Sequence, residues 1–203
     1  MKTRLAAAAL IFLSSAAAHR LDEYLQATTI SLEKDSVQAQ LRLIPGVAVL
    51  PFVMSTIDTD GDGNISASEQ KAYAGHVLAD LSLALNGTPL KLVLNAVTFP
   101  TREALKEGLG EIRLEFAAQL PGDTADRKLV FDNHHQEPIA AYLVNCLVPR
   151  DPKIRVATQA RNYNQSHYQL DYVQEGAMSW WWFAPLAAIP LARLACLSRK
   201  PRA

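Results

Sequence analysis

The stretch "SVQAQLRL", residues 36–43, sets Val37, Ala39, Leu41 and Leu43 against Gln38, Gln40 and Arg42. An apolar residue at every second position puts one face of an extended chain on a core and the other in water. "EIRLEF" (111–116) repeats the pattern. Further strands are expected at "EYLQATTISLE" (23–33), "TPLKLVLNAVTF" (88–99), "KLVFDN" (128–133), "AAYLVNCLV" (140–148), "IRVATQAR" (154–161) and "SHYQLDYV" (166–173). Turn formers separate them: Lys34-Asp35, Asn86-Gly87, Pro121-Gly122, Pro149 to Pro152 and Asn162 to Asn164. About eight short strands at this spacing point to an antiparallel β-sandwich.

A helical segment interrupts the strands. In "SASEQKAYAGHVLADLSLALNG" (66–87), Ala74, Leu78, Leu81 and Leu85 recur at helical spacing, and Asn86-Gly87 follows as a helix end. "LPFVMSTI" (50–57) suits two further turns, with Pro51 in the first. Between the two helices lies "DTDGDGNISASE" (58–69).

That loop meets the EF-hand pattern D-x-[DN]-x-[DN]-G-x5-E in full. Its ligand positions are Asp58, Asp60, Asp62, Asn64, Ser66 and Glu69. Calcium is a hard cation that takes six to eight oxygens in loose geometry. The aspartates supply short charged arms, Asn64 its backbone carbonyl, Ser66 a hydroxyl or a held water, and Glu69 two oxygens from the exit helix. Gly63 permits the sharp turn that a Cβ would obstruct, and Ile65 is placed to point inward. Magnesium fits less well, because it keeps its waters and demands stricter geometry. The competing reading is a solvated acidic turn that caps a helix, since Asp and Ser cap well and Glu69 suits the first turn. Four neighbouring carboxylates repel one another, however, and a cap needs only one. A single such loop must be braced by the rest of the fold. Structural calcium is therefore expected, fastening the helices to the strands, in place of a sensor with an apolar groove.

Both chain ends are distinctive. Residues 1–18 read as a signal peptide: Lys2 and Arg4, then the apolar run Leu5 to Leu13, then Ala16-Ala17-Ala18. The alternative is a buried N-terminal helix. Residues 179–198 read as a transmembrane anchor, with Trp180-Trp181-Trp182 at its upstream end, and 199–203 as a basic cytoplasmic tail. The span is short and Arg193 has to snorkel; a buried helix or a removable sorting tail are the alternatives. Residues 19–178 are then the exported domain, with the EF-hand at about 49–85. Setting aside Lys2, Arg4, Arg193, Arg199, Lys200 and Arg202 leaves 14 basic against 20 acidic residues, a net charge of −6. Nucleic-acid binding depends on cationic side chains, so nucleic acid is not an expected partner.

Cys146 and Cys196 lie on opposite sides of the anchor boundary and make no disulfide framework; Cys146 reads as a small buried hydrophobe. Cleavage after Ala18 would give His19 an α-amine beside its imidazole, and His134-His135 could add nitrogen ligands for nickel, cobalt or copper. Against this, paired histidines in a turn are usually surface residues. No nucleophile elbow, zinc-protease helix or phosphate loop is present, so no catalytic residue is assigned and an enzyme is not expected.

Three stretches together, "AHRLDEYLQAT", "PGVAVLPFVMSTIDTDGDGNISASEQKAYAGHVLADLSLALNG" and "NHHQEPIAAYLVNCLVPRDPKIRVATQARNYNQSHYQLDY", resemble the periplasmic N-terminal head of HupE/UreJ-like membrane proteins. The resemblance covers most of residues 18–173. It implies a periplasmic head, followed in that group by several membrane helices linked with nickel or cobalt handling. This chain has one hydrophobic span after the head, so a transport pore is not implied.

The expectation is thus an α+β protein: an antiparallel β-sandwich with an inserted EF-hand and a C-terminal transmembrane helix. It would sit in a bacterial inner membrane as a single-pass protein with its main domain in the periplasm. It would bind Ca2+ and act as an interaction module for a protein of the periplasm or inner membrane. The alternative is a transition-metal handling accessory that uses His19, His134 and His135.

Overall fold

A computed structural model describes residues 22–122 and 125–175. They form an α+β fold with two five-stranded sheets and few helices. In the first sheet the order is β5-β6-β2-β1-β8, with β1 Tyr24–Leu32, β2 Ser36–Pro45, β5 Val93–Thr98, β6 Ile112–Gln119 and β8 Ala140–Cys146. In the second the order is β4-β3-β7-β10-β9, with β3 Leu81–Leu85, β4 Thr88–Pro89, β7 Asp126–Asn133, β9 Ile154–Arg161 and β10 His167–Gln174.

The period-two pattern does what it predicts. Val37, Ala39, Leu41 and Leu43 of β2 are all buried, and β6 turns Ile112, Leu114 and Phe116 to the same side. β1 and β2 pair antiparallel from Tyr24↔Pro45 to Leu32↔Val37, and β2 and β6 from Ser36↔Gln119 to Leu43↔Ile112. Side chains from both sheets join one core, which includes Phe131, Tyr168, Leu170 and Tyr172 of the second sheet and Ile30 and Leu41 of the first. Cys146 belongs to it, as expected, and burial pushes its thiol up to about 11.

Three expectations need correction. The long helix does not continue to Leu85. Helix α2, Ala67–Ala79, stops at Asp80, and Leu81, Leu83 and Leu85 bury alternate positions of β3. Asn86 and Gly87 form the expected turn between strands and not a helix end. They have φ of +50° and +82° and close the tight β3–β4 hairpin, the backbone for which an Asn-Gly pair is best suited. The helix–loop–helix therefore spans 50–79, not 49–85. The sheets are also not wholly antiparallel: β8 runs parallel to β1, from Tyr24↔Ala140 to Ile30↔Cys146. The chain leaves β7, crosses between sheets through a 3₁₀ turn at Glu137–Ile139, and enters β8 pointing along β1. Parallel neighbours cannot be joined by a hairpin, and here most of the fold, from β2 to β7, lies between β1 and β8. The single strand expected over 88–99 divides into β4 and β5.

Helix α1, Leu50–Ile57, and helix α2 flank the acidic loop. They stand between β2 and β3, so the insertion lies where the sequence puts it. Leu50, Val53 and Ile57 of α1 and Tyr73, Ala74 and Val77 of α2 face the core. A short helix α3, Arg102–Lys106, was not expected; Thr101 caps it by accepting from the Ala104 N–H at 3.2 Å. Among the described residues no helix is long and apolar enough to cross a membrane. The expected signal peptide and the expected anchor at 179–198 lie outside the described residues.

Candidate functional site

The loop between α1 and α2 is held by its own side chains. Asp60 Oδ1 accepts from the Asp62 N–H at 3.1 Å, and Asp62 Oδ1 from the Asn64 N–H at 2.7 Å. Gly61 and Gly63 adopt φ of +71° and +86°, which costs a glycine little and a side chain more. Ile65, at the eighth position, packs against the core.

Helix α2 begins with a capping box. Ser66 Oγ accepts from the Glu69 N–H at 3.3 Å, and Glu69 Oε2 accepts from the Ser66 N–H at 2.9 Å. Glu69 Oε1 accepts from the Thr59 N–H at 2.7 Å, so the carboxylate ties both ends of the loop together. The Ser66 backbone bond comes first among the interactions that lower the Glu69 carboxyl to about 2. The capping role weighed against metal binding is therefore present in the fold.

Capping leaves Asp58 unexplained. Its side chain is only 7 % exposed. Oδ2 accepts from the Gly63 N–H at 3.2 Å and from Arg102 Nη1 at 3.2 Å, but the buried Oδ1 has no hydrogen-bond partner. A buried carboxylate oxygen without a donor is costly. Asp58, Asp60 and Glu69 each bring one carboxylate oxygen within 4.8 Å of the others. Oxygens bound to calcium at about 2.4 Å can lie up to about 4.8 Å apart, twice that radius. Among the described residues this is the one such group of three or more His, Cys, Asp or Glu side chains. Of the six expected ligands, the structure thus gathers Asp58, Asp60 and Glu69. Asp62 and Asn64 stay in the exposed part of the loop, and the Ser66 hydroxyl donates to Glu69 Oε2 at 2.8 Å.

Arg102 is the site residue that the sequence did not disclose. It lies 44 positions from Asp58 and arrives through β5 and α3. Its Nη1 would be 3.1 Å from a Cβ at Gly63, so the guanidinium lies over the loop as well as beside Asp58.

The histidines part company. His19 lies outside the described residues. His134 is exposed and pairs through Nδ1 with Glu137 at 2.7 Å. His135 is 3 % exposed, with Nδ1 2.7 Å from Asp80 Oδ2 and Nε2 3.1 Å from the Tyr73 hydroxyl. Tyr73 in turn meets the Tyr24 hydroxyl at 2.5 Å. Both His135 nitrogens are engaged inside the fold, and the neighbouring imidazoles face different partners. Burial is the chief cause that lowers the His135 pKa, with Asp80 pulling the other way.

This chain of polar groups fixes α2 to both sheets. Tyr24 belongs to β1, Tyr73 and Asp80 to α2 and its end, and His135 to the β7–β8 crossover. Gln26 completes it: its Nε2 donates to the His135 carbonyl at 2.7 Å, and its Oε1 accepts from Asn133 Nδ2 at 3.0 Å. No family model, curated protein or solved structure matches this chain.

Proposed function

We propose that the chain is a calcium-binding domain in which the ion is mainly structural, bound between α1 and α2 by Asp58, Asp60, Asp62, Asn64, Ser66 and Glu69. One observation carries the reading: the buried Asp58 carboxylate keeps one oxygen without a donor, and the same carboxylate lies in a group with Asp60 and Glu69 whose ligand atoms fall within 4.8 Å of one another. A divalent cation supplies the charge and the coordination that this oxygen lacks.

The structural role follows from what α2 carries. Its Tyr73 sits in the core and bonds Tyr24, and Asp80 past its end bonds His135. Fixing the loop fixes the start of the helix that links both sheets. On this reading the two sheets form a β-sandwich, residues 179–198 anchor it in an inner membrane, and residues 19–178 work in the periplasm as an interaction module without catalysis. The loop supports calcium binding, whereas the anchor and the periplasmic placement rest on the sequences of the two chain ends.

Thermal unfolding of the full chain tests it. Calcium should raise the melting temperature above that in excess chelator, because a ligand that binds only the folded state stabilises it by mass action. Magnesium at equal concentration should raise it less. Identical melting curves with calcium and with chelator would refute the structural role.

A further inference from the structure

We propose that the loop at 147–153 is a membrane-contacting surface that seats its exposed apolar residues in the phospholipid interface. The inference rests on the anchor reading above and adds an orientation to it.

The described chain ends beside this loop. After β10, the Glu175 N–H donates to the Lys153 carbonyl at 2.7 Å, and Glu175 Oε1 pairs with Arg155 at 2.9 Å. Five residues later the sequence reaches Trp180-Trp181-Trp182-Phe183. Five residues span at most about 18 Å when fully extended. If that aromatic run marks the bilayer interface, Lys153 lies within about 18 Å of it.

The loop is built to be presented. The Leu147 N–H is anchored to the Ile30 carbonyl at 2.8 Å. Asp151 accepts from the Lys153 N–H at 2.9 Å through its carboxylate and from the Ile154 N–H at 3.0 Å through its carbonyl, which makes a closed turn. Pro149 and Pro152 restrict the backbone further. On this fixed frame Val148 is 90 % exposed and Leu147 53 %. Among the described residues neither of these two adjacent aliphatic side chains belongs to the core. Arg150 and Lys153 are exposed on the same loop, suited to lipid phosphates while the aliphatic pair enters the interface.

The opposite end of the molecule gives the control. β9 and β10 run from Ile154 and Gln174 at this end to the turn at 162–166 at the other, where the Asn133 N–H donates to the Ser166 carbonyl. Tyr163, on that turn, is fully exposed. The β9 rise of eight residues separates Ile154, which follows the loop, from Arg161, which precedes the turn, by about 25 Å.

The test uses the full chain with Cys196→Ser, labelled with an environment-sensitive fluorophore at Val148→Cys or at Tyr163→Cys. Both positions are exposed, so neither change threatens folding, and Cys146 is buried with a raised pKa. The chain is reconstituted into phosphatidylcholine–phosphatidylglycerol vesicles and quenched by lipid carrying a shallow nitroxide. The account predicts quenching several-fold stronger at 148 than at 163. Vesicle flotation is run alongside. Chain that floats, with equal quenching at the two positions, overturns the loop contact and leaves the anchor standing. Chain that fails to float overturns the anchor and the loop contact with it.

Discussion

Arg102 Nη1 lies 3.2 Å from Asp58 Oδ2, so a cation from α3 pairs with the first carboxylate of the acidic loop. Asp58 is buried and Arg102 about one-third exposed. The guanidinium and a bound calcium ion would therefore repel each other across a shared carboxylate, and their effects on stability and affinity should oppose.

Arg102→Ala is expected to tighten calcium binding by roughly tenfold, since like charges about 4 Å apart near a protein surface cost a few kcal/mol before solvent screening. In chelator the same variant should lose about 1–2 kcal/mol of stability, less than for a fully buried pair because Arg102 is partly in water. Calorimetric titration and denaturant melts of one preparation read both. An affinity that stays the same or weakens would contradict the shared-carboxylate account.

Glu69 should make the chelator-treated protein acid-sensitive. Its folded pKa of about 2 lies below the unfolded value of about 4.3, so its contribution is complete above about pH 4.3 and is lost as pH falls toward 2. Glu69→Gln should flatten that part of a stability-against-pH profile measured by urea unfolding.

His135 should act in a higher window. Its pKa is lowered chiefly by burial beside Tyr73 and Tyr24, against the opposing pull of Asp80, with His76 adding to the lowering. A depressed folded pKa means the unfolded chain binds the extra proton, so stability is complete above about pH 6.5 and falls as pH drops through that value. His135→Gln should cost about 2–3 kcal/mol at pH 8, through the broken contacts of Tyr73 and Asp80, and remove the slope near pH 6. A slope unchanged in the variant would assign the titration elsewhere.

Leu83 separates strand from helix at 81–85. In β3 it is buried between Leu81 and Leu85 and pairs in register with Phe131, so Leu83→Ala should cost about 2–4 kcal/mol. A helix continuing from α2 would leave position 83 off its apolar stripe, with a cost well under 1 kcal/mol.

Leu83 also shows where the sequence was ambiguous. Leu81 and Leu85 are four apart, which suits one helical face and also one strand face. Leu83 between them fits only the strand, and Asn86-Gly87 serves equally as helix end and hairpin turn. The strands of uninterrupted alternation, such as β2 and β6, carried no such conflict. The loop was legible because all its expected ligands lie within twelve residues. Arg102 was not, because nothing local marks a side chain that reaches 44 positions back. Thr101 ahead of Glu103 was a readable cap, but a five-residue helix has too little length to show a period. The Tyr24–Tyr73–His135–Asp80 chain draws on three separate segments, and so its members read individually as core and surface residues.

The central claim is that Asp58 is a calcium ligand, and calorimetric titration of the full chain with calcium, beside Asp58→Asn, tests it most directly. The account predicts one saturable site per chain in the parent, in the weak range of extracellular modules or tighter, and its loss in the variant. No saturable heat up to about 10 mM calcium, or the same isotherm from both proteins, would contradict it.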